Sequence, residues 1–221
     1  MFSIVIPIFN GWNMLHTLLY DIYNTTSGVD IIIADDCSTE KEVAGGIKWW
    51  QDKMFKDRLS HYKTPTNYGF LRNANFGVSK VKTENVLLLN SDVRLRDINL
   101  VNKIEKELNK DRNIPTLVGA RLLDKDTGWN KFDKKIFPYL EGWFLAFRKS
   151  DWDFLGGFDE RYEISDFEDV DLATKYVSID GKLQVVDANV EHIGGQTIGF
   201  SPEREAQTRI NQRKFEEKWL K

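Results

Sequence analysis

Three acidic clusters and one histidine carry the groups that could do chemistry. Asp35-Asp36 follow the apolar "IIIA", Asp92 closes "LLLNSD", Glu168 and Asp169 stand in "FEDVD" with Asp171, and His192 lies in "VEHIGG". Carboxylate and imidazole groups can hold a divalent cation, and a carboxylate beside a hydroxyl can take its proton. Each also has a plainer role. Asp35-Asp36 suit the cap of a following helix, Asp92 a turn, "FEDVD" the acid-rich first turn of a helix, and His192 a structural contact.

The elements that deliver these residues can be read from hydrophobic period. "FSIVIPIF" (2–9) is a nearly continuous apolar run, as a strand buried on both faces requires. Leu15, Leu18, Leu19 and Ile22 describe one helix face. "VDIIIAD" (29–35) predicts a second strand, and Thr39 with Glu42 a capping box ahead of Val43, Ile47, Trp50 and Met54. "RLSHYK" predicts a third strand, "FLRNANFGVSK" a short helix, and "NVLLL" (85–89) a fourth strand before a helix carrying Val101, Ile104 and Leu108. This alternation predicts an α/β fold with a mostly parallel central sheet and helices on both faces. Ligands of such sheets bind beyond the carboxyl ends of the strands, where Asn10, Asp35-Asp36, Asn67 and Asn90-Ser91-Asp92 all fall.

The second half is more mixed. "LVGARLL" and "EGWFLAFRK" each predict a strand, separated by a polar, aromatic loop (124–139) expected to move or to face an acceptor. "SDFEDVDLATKYVSIDG" predicts a helix starting near Ser165 and closed by Gly181, and "LQVVDANVEHIGG" a short strand with a glycine turn. The terminal charged helix has Ser201 as N-cap and Pro202 at its first position.

Composition narrows the class. With 221 residues, 41% of them apolar and seven of them Trp, a single packed domain is expected. Lys and Arg total 31 against 34 Asp and Glu, so the net charge of -3 offers no general attraction to nucleic acid or anionic lipid. Cys37 is the only cysteine, which gives no disulfide framework and points to a reducing compartment. The chain shows neither a signal peptide nor an apolar run near the ~20 residues that span a bilayer, so a cytoplasmic protein is expected. "IPIFNGWNML" lacks G-x-G-x-x-G, which argues against a dehydrogenase, and also lacks the glycine- and arginine-rich loop of a sugar nucleotidyltransferase.

The ordered series "SIVIPIFN", "IIIADDCST", "NYGFLRNANFG", "VLLLNSDV", "GWFLAFRKSDWDFLGGFDERY", "FEDVDL" and "VEHIGG" resembles the family 2 glycosyltransferases of the GT-A fold. It is most similar to the rhamnosyltransferase-like branch that builds surface polysaccharides. The resemblance implies one GT-A domain over 1–221, with a nucleotide-binding half (1–95), an acceptor and catalytic half (96–200) and a C-terminal helix (201–221).

It implies that Pro7, Phe9 and Asn10 lie at the nucleotide, with Phe9 near the base, and that Asp36 of the Asp35-Asp36 pair accepts from the base. Asn67, Gly69, Arg72 and Asn75 match the pattern around nucleotide and diphosphate, Arg72 as the phosphate contact. Asn90-Ser91-Asp92 matches the Asp-x-Asp site, with Asn90 in place of the first acid. Asp92 is then the metal ligand and His192 a further one, for Mn²⁺ or Mg²⁺. Because Asn90 is neutral, the ion is expected to be held mainly when the diphosphate is present.

Asp169 becomes the general base and Glu168 its support, while Asp171 faces elsewhere on the helix. Trp143, Gly157, Phe158 and Asp159 match the donor and acceptor pockets. The implied activity is metal-dependent, inverting transfer of a hexosyl or deoxyhexosyl group from a nucleoside-diphosphate sugar to a glycan or lipid-linked saccharide, in the cytoplasm or at the membrane periphery. The competing expectation is a catalytically inactive glycan- or nucleotide-binding accessory protein on the same fold. Arg204, Arg209, Arg213, Lys214 and Lys218 admit a lid over the diphosphate or a lipid contact. Glu203, Glu205, Glu216 and Glu217 among them admit an ordinary solvated helix.

Overall fold

Strand and helix alternate along the first hundred residues of the computed structural model, which describes residues 1–164, 166–194 and 201–220. β1 (Phe2–Ile8) is buried along its whole length. α1 (Trp12–Thr25) buries the predicted stripe Leu15, Leu18, Leu19 and Ile22. β2 (Asp30–Asp35) and α2 (Lys41–Trp50) follow, and α2 runs through a wider turn (Gln51–Phe55) into β3 (Leu59–Lys63). α3 (Phe70–Ser79), β4 (Asn85–Leu89), β5 (Val93–Leu95) and α4 (Leu100–Leu108) complete this half.

The second half contains β6 (Thr116–Gly119), three short strands β7 (Leu122–Leu123), β8 (Lys131–Phe132) and β9 (Lys135–Ile136), then β10 (Tyr139–Leu140) and β11 (Phe144–Arg148). α5 (Lys149–Leu155), α6 (Glu168–Ser178), β12 (Lys182–Val185), β13 (Val190–His192) and α7 (Pro202–Trp219) end it.

The central sheet has seven strands in the order β12-β6-β11-β4-β1-β2-β3. All neighbours are parallel except β11, which lies antiparallel between β4 and β6. Successive side chains of a strand leave on opposite faces, so β1 feeds two cores. Ile4, Ile6 and Ile8 pack with the stripes of α1, α2 and α4, while Val5 packs on the other face with residues of α3, α6 and α7. Gly77 permits the close approach of α3, because a Cβ there would lie 2.7 Å from Val5 Cγ1 and 2.9 Å from Ala34 Cβ.

The structure departs from the predicted elements at four places. The capping box at Thr39 and Glu42 does not form; the backbone N–H groups of Thr39 and Glu40 instead donate to Asn10 Oδ1 at 2.7 and 3.1 Å. "LVGARLL" breaks into β6 and β7, because Leu122 and Leu123 pair with β10 outside the central sheet. "LQVVDANVEHIGG" yields two strands, and β13 pairs antiparallel with the distant β5. α7 is not an ordinary solvated helix, since Phe215 is buried against Phe132, Phe137 and Phe167. Its cap is as predicted, Ser201 Oγ accepting from the Arg204 N–H. α6 begins at Glu168, and the predicted start near Ser165 lies outside the described residues. Among the described residues no helix is long and apolar enough to cross a membrane.

Candidate active site

The carboxyl ends of β1, β2 and β4 open onto a cleft of about 300 Å³. Pro7, Phe9, Asp36, Asn67, Gly69, Asn90 and Ser91 line it, as the sequence leads one to expect of a ligand-binding edge. Phe9 is 42% exposed there, so it is not core filler. The backbone turns sharply on leaving two of these strands, with Asn10 and Cys37 in the left-handed region (φ 58° and 64°). Asp36 is buried and accepts from the N–H groups of Tyr68 and Gly69 at 2.6 and 2.8 Å, tying the loop before α3 to β2.

Three residues assigned to the nucleotide are instead turned toward the protein. Asn10 is consumed by the start of α2, as described above. Asp35 is buried; burial opposes its ionisation, but hydrogen bonds from His61 and Ser38 outweigh it and hold the carboxyl below its usual range. Asn75 clamps the backbone of Phe158, donating to its carbonyl at 2.9 Å and accepting from its N–H at 3.1 Å. Arg72 is exposed and pairs with Glu160 at 3.4 Å. A residue passed over in the sequence, Asn73, lines the cleft, its amide donating to the carbonyls of Ala34 (2.7 Å) and Ile8 (3.4 Å) and its Oδ1 left without a protein partner.

β5 and β13 decide the next feature. Their register sets His192 opposite Val93, which brings His192 Nε2 to 3.3 Å from Asp92 Oδ1. The imidazole stacks on Trp143 with centroids 4.9 Å apart and planes at 12°. Trp143 also accepts the Asn90 N–H at its carbonyl, closing the group from below. Asn90 Oδ1 is buried without a hydrogen-bond partner in the protein. One carboxylate, one imidazole and one unpartnered amide oxygen are donors that fit a divalent cation completed by ligand oxygens. Among the described residues no group of three or more His, Cys, Asp or Glu gathers at one point.

The ribbon is braced from outside. Arg94 forks onto Asp21 of α1 at 2.6 and 3.0 Å, and the Leu95 N–H donates to the same carboxylate at 3.0 Å. Nothing in the local spacing of Asp21 announces this, because its partners lie more than seventy residues away.

Glu168 and Asp169 open α6 beside a larger cavity of about 640 Å³, to which Trp129, Tyr139, Asp166, Arg204 and Thr208 also contribute. The lead into the helix is strained, with Ile164, Asp166 and Phe167 all at positive φ (65°, 73° and 78°). α7 holds it. Arg204 forks onto Asp166 at 2.8 and 3.2 Å, and Thr208 donates to Asp166 at 2.7 Å. Asp169 accepts the N–H groups of Val170 (2.8 Å) and Gly142 (3.1 Å). Burial pushes both carboxyls up, Glu168 to about 8 with Asp169 adding to the effect, and Asp169 to about 7 despite those two N–H bonds. Glu168 Oε2 is buried without a protein partner. Ile164 lines the smaller cleft, and Asp166 to Asp169 line the larger.

Gly157, Phe158 and Asp159, expected in a donor or acceptor pocket, line neither cleft. Gly157 takes φ 61°, and a Cβ there would meet Trp152 Nε1 at 2.6 Å. Phe158 is core. Arg161 and Lys218 bond Asp159 and hold its carboxyl well below the usual range. Asp171 does face away from Asp169. It is fully buried and receives Tyr162, Lys218 and Trp219, so it ties α7 to α6.

With this geometry in place, comparison with known proteins decides the family. The model of glycosyl transferase family 2 matches residues 3–165. The chain belongs to glycosyl transferase family 2. No curated protein matches it. Among solved structures, a mannosyltransferase from Pyrobaculum calidifontis in complex with GDP-Man and Mn²⁺ superposes at TM-score 0.70 with 16% identity, over 89% of this chain and 58% of that one. GalNAc-T7 with UDP, GalNAc and Mn²⁺ gives 0.79 with 18% identity, over 99% and 48%. Staphylococcus aureus TarS residues 1–349 with UDP gives 0.68 with 16% identity, over 96% and 64%. The fold is therefore the GT-A glycosyltransferase fold, and the family 2 chain spans less than two thirds of each of these relatives.

Proposed function

We propose that this family 2 member is an inverting transferase that moves a hexosyl or deoxyhexosyl group from a nucleoside-diphosphate sugar to an acceptor hydroxyl, in assembly of a surface glycan or polysaccharide. The observation that carries the reading is the closeness in sequence of the two linings: Ile164 lines the strand-end cleft, and Asp166 to Asp169, beginning two residues on, line the larger cavity. A donor bound in the first would place its sugar toward an acceptor in the second. Two proteins of the same fold bind GDP-Man, or UDP, with Mn²⁺, which supports that ligand class here.

In this reading Phe9 flanks the base, and Asp36 and Asn73 present acceptor oxygens to its N–H groups. Asp92 and His192, with Asn90, hold Mn²⁺ or Mg²⁺, an ion that neutralises charge on a departing diphosphate when bound. Asp169 takes the acceptor hydroxyl proton as that oxygen bonds to the anomeric carbon and the carbon–oxygen bond to the diphosphate breaks. The proton ends on Asp169 Oδ and the electron pair leaves with the nucleoside diphosphate. One displacement from the opposite face inverts the centre. The raised Asp169 carboxyl makes it a better base at neutral pH than an ordinary aspartate. Gly142 N–H and Val170 N–H aim it, and Glu168 keeps a second polar oxygen beside it. The reaction would run in the cytoplasm, against a membrane where the acceptor is lipid-linked.

A thermal-shift screen of UDP, dTDP and GDP sugars, with and without Mn²⁺, tests this together with release of the nucleoside diphosphate. Stabilisation should grow with ligand affinity for the folded state. Absence of both stabilisation and release for every donor would overturn the transferase reading and leave a glycan- or nucleotide-binding accessory protein.

A further inference from the structure

The larger cavity holds a feature that donor chemistry does not use. Trp129 lines it together with Asp169 and is 47% exposed. Among the described residues no aromatic ring packs against its indole. An exposed tryptophan on a loop is ordinarily a mobile one, but this loop is cross-braced. Asn130, the next residue, is fully buried; its Oδ1 accepts the Thr127 N–H and hydroxyl, and its Nδ2 donates to the carbonyls of Leu123, Lys125 and Phe137. The Phe137 N–H returns to the Asn130 carbonyl at 2.8 Å. Trp129 thus lines the cavity on a preorganised support, which lowers the ordering cost of any partner laid on its indole.

The charges around it select that partner. Glu168, Asp169 and Glu205 line the same cavity. Arg204, its one lining cation among the described residues, is forked onto Asp166. A phosphate or carboxylate on the acceptor would lose water there without gaining an uncommitted lining cation, whereas sugar hydroxyls can hydrogen-bond to the lining carboxyl groups and a sugar's C–H face can rest on an indole.

We propose that this cavity seats the acceptor as a neutral sugar ring laid on Trp129, and that the reacting residue of the acceptor is an uncharged saccharide rather than a phosphorylated or acidic one. The proposal rests on the transferase reading above and gives it an acceptor class. Trp129 acts as the specificity platform, and the commitment of Arg204 to Asp166 leaves an anionic acceptor without a lining counter-charge among the described residues.

The test is binding of the full chain to an array of neutral oligosaccharides and their 6-phosphate and uronate counterparts, for wild type, Trp129→Ala and Trp129→Phe. We expect neutral saccharides to bind in preference to their anionic counterparts. Trp129→Ala should lose about five- to tenfold in affinity while Trp129→Phe stays within about threefold, as stacking on a retained ring requires. Melting temperatures of both variants report that the loop still folds. Equal or stronger binding of the anionic probes, unchanged affinity in Trp129→Ala, or no binding of any neutral saccharide would each overturn the proposal. Donor hydrolysis by water, which needs no acceptor, is measured alongside. If hydrolysis persists without saccharide binding, only the platform falls; if saccharides bind through Trp129 but no donor binds or is cleaved, the transferase reading falls and the platform stands.

Discussion

Replacing Asp169 with Asn separates the proposed catalytic role of this carboxyl from its structural one. Asp169 lies at the head of α6 with its two oxygens accepting Val170 and Gly142 N–H groups, and its pKa is pushed from 3.8 to about 7, chiefly by burial. A carboxyl raised in the fold favours the protonated form. The stability it confers is therefore complete at acidic pH and is lost as pH rises from the unfolded value toward the folded one. Between about pH 5 and pH 7 the loss from this carboxyl is on the order of 2 kcal/mol, at about 1.4 kcal/mol per pH unit and tapering as the folded-state group begins to ionise. For a chain of this size that corresponds to a melting temperature lower by ~4–8 °C. Asn carries no titratable group, so the variant should lose the Asp169 part of the slope and keep the part that the likewise buried Glu168 supplies, although one of the two N–H groups then faces an amide nitrogen and costs about 1 kcal/mol at every pH. Transfer should fall by roughly 10²–10⁴-fold, the usual contribution of a positioned base, while donor affinity is retained. Melting curves at several pH values and single-turnover transfer assays read both effects. Parallel melting profiles for wild type and variant would refute the burial argument, and undiminished transfer would refute the assignment of the base.

His192→Ala should weaken Mn²⁺ binding in the presence of nucleoside diphosphate by about tenfold, near 1.4 kcal/mol, with little ion bound by either protein without nucleotide; titration calorimetry measures this. Arg94→Met strands the nearly buried Asp21 carboxylate and should destabilise the fold by about 3 kcal/mol in denaturant melts. It should also lower Mn²⁺ affinity, because Asp21 and Arg94 brace the ribbon that carries His192. Phe215→Ala empties a site among Phe132, Phe137 and Phe167 and should cost about 3–5 kcal/mol, which a helix serving only as a lid would not show.

The central sheet was legible because burial on both faces writes itself into composition. A strand such as "FSIVIPIF" has no polar side to hide, and the amphipathic stripes of α1, α2 and α4 follow the helical period. Chain order alone also placed Asp36, Asn67, Asn90 and Ser91 at one edge, since parallel strands bring their carboxyl ends to the same side. What local spacing could not reach was the direction of individual side chains. Asn10 and Asn75 read as ligand contacts but are spent on backbone groups of the β2–α2 loop and of Phe158, and Asp159 on Arg161 and Lys218. Those choices depend on unpaired backbone groups supplied from elsewhere, and a buried polar group goes to whichever partner satisfies it. The same holds for the pairing of Asp92 with His192, decided by the β5–β13 register across a hundred residues, and for the bracing of the strained lead to Asp169 by α7. Residue type and order determined the fold and the edge at which its chemistry sits. Long-range pairing decided which of the candidate side chains face it.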